Sequence, residues 1–214
     1  GWKVRKISEV AKIVRGSSPR PIQEYIDVVG MPWIKISDAT ESTSKYIVKT
    51  KEFIKLEGIS KSRKIPPGTL ILSNSATPGI PKFVLIEACV HDGWLIFDEF
   101  EGISKEFLYY FLLRERDEIV SLSNGSVFRN LKTDILKNYK IIVPSSTVLK
   151  QANTLFEKIN EMIASNIFQN EVLTQIRDAL LPKLMSGEIR VPVEQEYNIP
   201  DLPMVAESGA TYQA

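Results

Sequence analysis

The side chains able to do chemistry in this chain sit mainly in four short polar loops. "RGSSPRP" (15–21) offers Ser17, Ser18 and Arg20 as donors, with Gly16 and the prolines shaping the loop. "IKISDAT" (34–40) carries Lys35, Ser37 and Asp38, and "SNSATPGIPK" (73–82) carries Ser73, Asn74, Ser75, Thr77 and Lys82. "NGSVFRNLK" (124–132) supplies Ser126, Arg129, Asn130 and Lys132. Hydroxyls, amides and isolated cations of this kind hydrogen-bond phosphate oxygens and base edges. Arg pairs bidentately with guanine and Asn with adenine. Asp38 could accept from a cytosine amino group, and the local alternative is an Asx-turn cap. Taken singly, each loop has an ordinary reading as a turn.

Catalytic constellations are missing. The sequence has no strand-linked GxGxxG, no P-loop and no HExxH. It also lacks an Asn/Asp-Pro-Pro-aromatic run of the kind that holds a base for amino methylation. His91 and Asp92 adjoin, but neighbours on a strand point to opposite faces, and "HDG" reads as a turn. One cysteine (Cys89) and one histidine exclude a disulfide framework and an all-Cys/His zinc site. "FDEFE" (97–101) reads as a solvated turn, and Cys89 as a small buried hydrophobe. The expected chain is therefore non-catalytic, with no metal and no cofactor of its own.

The 214 residues are 43% hydrophobic and 25% charged, enough for one globular domain with an appendage. No apolar run reaches membrane-spanning length and the first residues lack a signal-peptide pattern, so the expected setting is cytoplasmic, with no membrane partner. Net charge is +1, unevenly spread. Residues 146–187 carry four basic and four acidic side chains, while 188–214 set Arg190 against Glu188, Glu194, Glu196, Asp201 and Glu207. The excess of positive charge therefore lies before residue 146, where weak phosphate attraction and a solvated mixed surface are both open readings.

Residues 1–145 must position the loops. "WIKIS" (33–37), "TLILS" (69–73), "KFVLI" (82–86), "WLIF" (94–97) and "KIIVP" (140–144) read as strands. Ser104 reads as the N-cap of a helix reaching about Leu122, and "LKTDILKN" (131–138) as a shorter one. Without a regular βαβ alternation, the expected class is α+β.

From Val148 the pattern becomes one long helix, 146–187, about 55–60 Å at 1.5 Å per residue. Ala152, Ile159, Asn166, Leu173 and Leu180 recur every seven residues, with Leu155, Met162, Gln169 and Ile176 between them. Phe156, Ile163 and Leu184 widen the stripe. Leu155, Ile159, Met162, Asn166, Leu173, Ile176 and Leu180 are the expected helix-pairing residues of a coiled coil. The alternative is a helix laid back along its own domain. Pro182 and Gly187 are expected to end it, and the acidic, proline-spaced 188–214 reads as a tail or linker.

The order of these segments resembles the specificity (S) subunit of type I restriction–modification systems. The resemblance covers about residues 2–191. It rests on "WKVRKISEVAKIVRGSSPRP", "PPGTLILSNSATPGIPKF", "GSVFRNLKTDILKNYKIIVP" and above all "QNEVLTQIRDALLPKLMSGEIRV". It implies a target recognition domain followed by a conserved spacer helix, in a subunit that is not itself catalytic. Such subunits carry two recognition domains whose helices pack antiparallel, each domain reading half of a bipartite duplex DNA sequence. Modification subunits, which bind S-adenosylmethionine, methylate adenine, and restriction subunits join them. This chain has one domain and one helix, half that architecture, so a natural half-subunit that homodimerises and a fragment of a longer protein are both open. The runner-up expectation is a helical scaffold that binds protein without specific DNA recognition.

Overall fold

Short apolar strands, the central ones buried along almost their whole length, build two sheets that share one core. The structure, a computed structural model, describes residues 1–122 and 130–190. Among them the strands run β1 (Lys3–Lys6), β2 (Lys12–Arg15), β3 (Ile26–Asp27), β4 (Met31–Ile34), β5 (Tyr46–Ile47) and β6 (Glu52–Ile54). They continue as β7 (Arg63–Ile65), β8 (Thr69–Ser73), β9 (Pro81–Val84), β10 (Ala88–Val90), β11 (Trp94–Asp98) and β12 (Lys140–Val143). The helices are α1 (Ile36–Thr40), α2 (Leu56–Ile59), α3 (Lys105–Arg114), α4 (Arg116–Ser121), α5 (Thr133–Asn138) and α6 (Ser146–Met185). The class is α+β.

One sheet has the order β3-β6-β4-β10-β7 and the other β2-β11-β8-β9-β5. β10 pairs parallel with β4, Cys89 opposite Trp33 and Val90 opposite Ile34. The two-residue period of a strand then separates these pairs. Ile34, Ala88 and Val90 enter a core shared with Ile71, Val84, Trp94 and Ile96 of the second sheet, while Trp33 and Cys89 pack with Ile54 on the other side. The Trp94 indole N–H donates to the Ile34 carbonyl at 3.1 Å, tying the sheets together at a fully buried point. β1 and β12 form a separate antiparallel ladder, with Lys3 opposite Val143.

Three expectations change. "WIKIS" does not stay a strand. β4 stops at Ile34 and α1 starts at Ile36, because Asp38 accepts the Lys35 N–H at 2.7 Å and closes a helical turn. The helix begun at Ser104, whose hydroxyl caps the Phe107 N–H, breaks at Glu115, where ψ reaches 7°. The Glu115 carboxylate there accepts the Tyr139 phenol at 3.0 Å. Pro182 does not end the long helix either. It lies near the C-terminus, the helix runs on to Met185, and Gly187 takes the left-handed conformation after it (φ 76°).

The chain divides into compact units of residues 1–164 and 165–214, so the first unit includes α6 as far as Ala164. Within this unit α6 uses a separate stripe to pack on its own domain. Leu149 is buried, Asn153 accepts from the Ser104 hydroxyl at 2.6 Å, Phe156 lies 4.9 Å from the Tyr110 ring, and Asn160 accepts from Lys45. The seam residues Leu155, Ile159 and Met162 of the same segment stay exposed. In the second unit Leu173, Ile176 and Leu180 are exposed, as are Asn166 and Gln169. Phe156, expected to widen the seam, faces Tyr110. No described helix is long and apolar enough to cross a membrane.

Candidate nucleic-acid interface

The turn at 91–93, between β10 and β11, gathers the loops. Ser18 donates its hydroxyl to Asp92 Oδ1 at 2.7 Å, and Arg20 reaches Asp92 Oδ2 at 3.4 Å. Arg15 Nε donates to the Asp92 carbonyl at 2.7 Å, and the Asn74 side-chain amide approaches the same oxygen at 3.4 Å. The Asn74 backbone N–H donates to the Gly93 carbonyl at 2.9 Å, while its own carbonyl accepts from Leu131 at 2.8 Å. The 15–21 and 73–82 loops and the residues after 129 are thus held around three residues of turn.

Two glycines make this approach possible. A Cβ on Gly16 would overlap the His91 carbonyl oxygen, and one on Gly93 would overlap the His91 ring and the Ser75 hydroxyl. Ser17 ties the same loop to its other side: its hydroxyl donates to the Lys61 carbonyl at 3.0 Å, and its backbone carbonyl accepts from the Ser62 hydroxyl at 2.9 Å.

The electrostatics follow from partial burial. His91 stands between Trp33 and Trp94, with ring centroids 6.1 and 6.4 Å away, and accepts the Gly93 N–H at Nδ1. Burial pushes its pKa down; Asp92 opposes this, and the cations Lys35 and Arg20 add to it. Lys35 therefore brings the 34–40 loop into the same field, while its ammonium pairs with Glu52 at 2.5 Å. Desolvation pulls the Asp92 carboxyl upward. The Ser18 hydroxyl, a backbone N–H, Arg20 and His91 outweigh it and hold Asp92 below the usual carboxylate range.

The expected contact residues divide. Ser17, Ser18, Ser75 and Thr77 are half-buried at the edge of the cluster, and Arg20, Lys35, Ser37, Asn130 and Lys132 are exposed. Asp38 is committed to the α1 turn, its local alternative. Ser73 is buried, donating its hydroxyl to the Thr77 carbonyl at 2.6 Å and accepting from Ile80 N–H at 2.8 Å, so it shapes the loop from beneath. Asn74 is also buried, and its Oδ1 has no hydrogen-bond partner among the described residues. Lys82 is a correction. Its ammonium is buried against the Ser42 and Ser44 carbonyls, and desolvation lowers its pKa, so it is not placed to neutralise a phosphate. Ser126 and Arg129 lie outside the described residues.

Sequence reasoning passed over Arg15 and Asp92. Asp92 was legible as a turn residue in "HDG", but its partners Arg15, Ser18 and Arg20 are 72 to 77 positions away. Among the described residues no His, Cys, Asp and Glu group could hold a metal ion. The arrangement presents exposed cations and half-buried hydroxyls around a hydrogen-bonded turn, which suits recognition by hydrogen bonding.

Comparison with known proteins points the same way. Residues 1–175 match the family described as type I restriction modification DNA specificity domain. The chain is 26% identical over 197 residues to the type I restriction enzyme MjaIX specificity subunit of Methanocaldococcus jannaschii, covering 89% of this chain and 45% of that protein. It is 29% identical over 198 residues to the HindI specificity subunit of Haemophilus influenzae, covering 88% and 42%. The chain thus spans less than half the length of these curated relatives. The fold matches the HsdS subunit from Thermoanaerobacter tengcongensis and the type I S subunit from M. genitalium. Each has a TM-score of 0.58 at 18% identity, over 88% of this chain and 46% of the other.

Proposed function

This chain belongs to the type I restriction modification DNA specificity family, and from that premise we propose that it is a non-catalytic DNA-recognition subunit reading one half of a bipartite duplex target. The observation that carries this is the convergence of Ser18, Arg20, Asn74 and Arg15 on the Asp92 turn, with Lys35 acting on the same turn. Cations at the edge of such a cluster attract phosphates and fix the register; hydroxyls and amides read base edges. In this reading Ser17, Ser18, Arg20, Lys35, Ser37, Ser75, Thr77, Asn130 and Lys132 line the duplex-facing surface. Ser126 and Arg129 would extend it. Ser73 and Asn74 hold the third loop in shape.

The recognition domain is assigned to residues 1–145, the spacer helix to 146–187 and the tail to 188–214. α6 would pair with α6 of a second copy, setting two domains at opposite ends and the target as an interrupted palindrome. The partners are duplex DNA, a modification subunit that brings S-adenosylmethionine and methylates adenine, and a restriction subunit in the full assembly. The setting is cytoplasmic.

The test is methylation mapping by sequencing after co-expression with a modification subunit. A chimera with residues 1–145 from a relative of different specificity should methylate the relative's sequence. An unchanged methylated sequence overturns the reading.

A further inference from the structure

Lys45 joins the recognition domain to the first turns of α6. Its backbone carbonyl accepts the Phe83 N–H at 2.8 Å, which ties it to β9 in the second sheet. Its ammonium reaches the helix, donating to the Asn160 side-chain oxygen, and it donates also to the Tyr110 hydroxyl at 3.3 Å. The rings of Tyr46, Tyr110 and Tyr109 surround it, with centroids at 5.3, 5.4 and 5.8 Å. Tyr110 in turn lies 4.9 Å from the Phe156 ring of the helix.

We propose that Lys45 is a positioning residue: it fixes the angle at which the recognition domain holds the start of α6, and so keeps strict the number of base pairs between the two half-sites. This role rests on the bipartite reading above and adds a second level to it. The loops choose the half-site sequence, and the Lys45 contact restricts the half-site spacing.

The helix meets its domain through Leu149, Asn153, Phe156 and Asn160, spaced by three or four residues along one face. Leu149 and Phe156 contribute apolar burial, which is non-directional. A hydrogen bond weakens steeply as it leaves its line, so the polar anchors set the angle. Asn160 is the farthest of these anchors along the helix, and packing does not replace it there. A cavity of about 210 Å³ opens between Tyr46, Phe83, Lys105, Asn160 and Ala164. With three rings and two acceptors to satisfy, the ammonium has few alternative positions.

Small angles matter at such a joint. The 40-residue helix is about 60 Å long. Tilting it by about 3° at its root moves its far end by about 3.4 Å, one base-pair step of duplex DNA. A domain free to rock that far would accept targets one base pair longer or shorter while reading each half correctly.

The test is methylation mapping by sequencing, with the full 214-residue chain and the same modification subunit throughout. Lys45→Met removes the charge and keeps the length. Asn160→Ala removes the acceptor from the helix side, at a half-buried position where alanine suits a helix, so the result does not hang on the folding of Lys45→Met. In both, discrimination against spacers one base pair off should fall roughly tenfold, the worth of one contact to a charged group, with the half-site sequences unchanged. Lys45→Arg keeps a cation over the rings and should hold the spacer strict. Lys158→Ala, at an exposed position of the same helix, should change neither spacer nor sequence. Strict spacing in both Lys45→Met and Asn160→Ala would overturn the proposal. So would an altered half-site sequence, which would put Lys45 among the reading residues, or a Lys45→Arg variant as relaxed as Lys45→Met. Absence of methylation by the unaltered chain would instead overturn the DNA-reading function, and this role with it.

Discussion

Ser18 and Asp92 are 74 residues apart in the chain and bonded side chain to side chain at 2.7 Å. The bond joins the 15–21 loop to the turn between β10 and β11, and Arg20 adds its guanidinium to the other carboxylate oxygen. Removing the hydroxyl in Ser18→Ala should cost about 1 kcal/mol, the usual worth of one such bond. Its specific effect is on order: hydrogen exchange should quicken at residues 16–18, with the β8 and β11 amides unchanged. Uniform quickening across both sheets would contradict the assignment.

His91 should make stability depend on pH below neutrality. Its folded pKa lies below 6.5, with burial the chief cause. As pH falls, the unfolded chain binds the proton first, so stability is constant above about 6.5 and declines as pH drops toward the folded value. Protonation also costs the Gly93 N–H its acceptor. His91→Gln should flatten denaturation midpoints between pH 7 and pH 5. Asp92, lowered from 3.8, contributes stability that is lost only as pH falls through its still lower folded pKa, outside that window.

Lysines at different depths should behave differently. Lys82→Ala leaves two inward carbonyls without their donor and should destabilise by about 2 kcal/mol. It should leave the salt dependence of DNA binding unchanged. Arg20→Ala, Lys35→Ala and Lys132→Ala should barely alter stability. Each one that touches a phosphate should reduce the salt slope by about one. A reduced slope for Lys82→Ala with full stability would reverse the distinction.

Gly16→Ala should be among the most damaging small substitutions. The added methyl overlaps the His91 carbonyl, and backbone cannot step aside as a side chain can. A loss of about 3 kcal/mol, at the upper end for overpacking, is expected by chemical denaturation. A loss below 1 kcal/mol would show that the loop sits farther from the turn.

Ala76 carries a positive φ of 56° at the exposed tip of the 73–82 loop. The left-handed region costs a residue with a Cβ about 1 kcal/mol. Ala76→Gly should recover part of that, raising the melting midpoint slightly. If the tip meets DNA in this conformation, affinity falls as glycine frees it.

Much of the fold was legible. "TLILS", "WLIF" and "KIIV" are strands where their apolar patterns put them, and Ser104 caps α3 as its position implied. "WIKIS" misled because Ile34 and Ile36 both bury, one in a strand and one in a helix, so alternation alone cannot tell them apart. β10 escaped because three residues around a cysteine carry little periodic signal. The four loops were visible by composition, and their assembly was not. Asp92 is chosen by long-range contacts that no local spacing encodes, and Lys82 looks like a surface cation until Ser42 and Ser44 close over it.

The ladder between β1 and β12 has a consequence for how such a protein can change. Two strands far apart in the sequence lie side by side there, with Lys3 opposite Val143 and Lys6 opposite Lys140. A segment whose two ends meet behaves as a cassette. Genetic crossovers near codons 3 and 143 would exchange everything between them while both ends stayed spliced to one ladder. In the proposed reading of residues 1–145, such an exchange would carry a new specificity in a single recombination and leave α6 as it was.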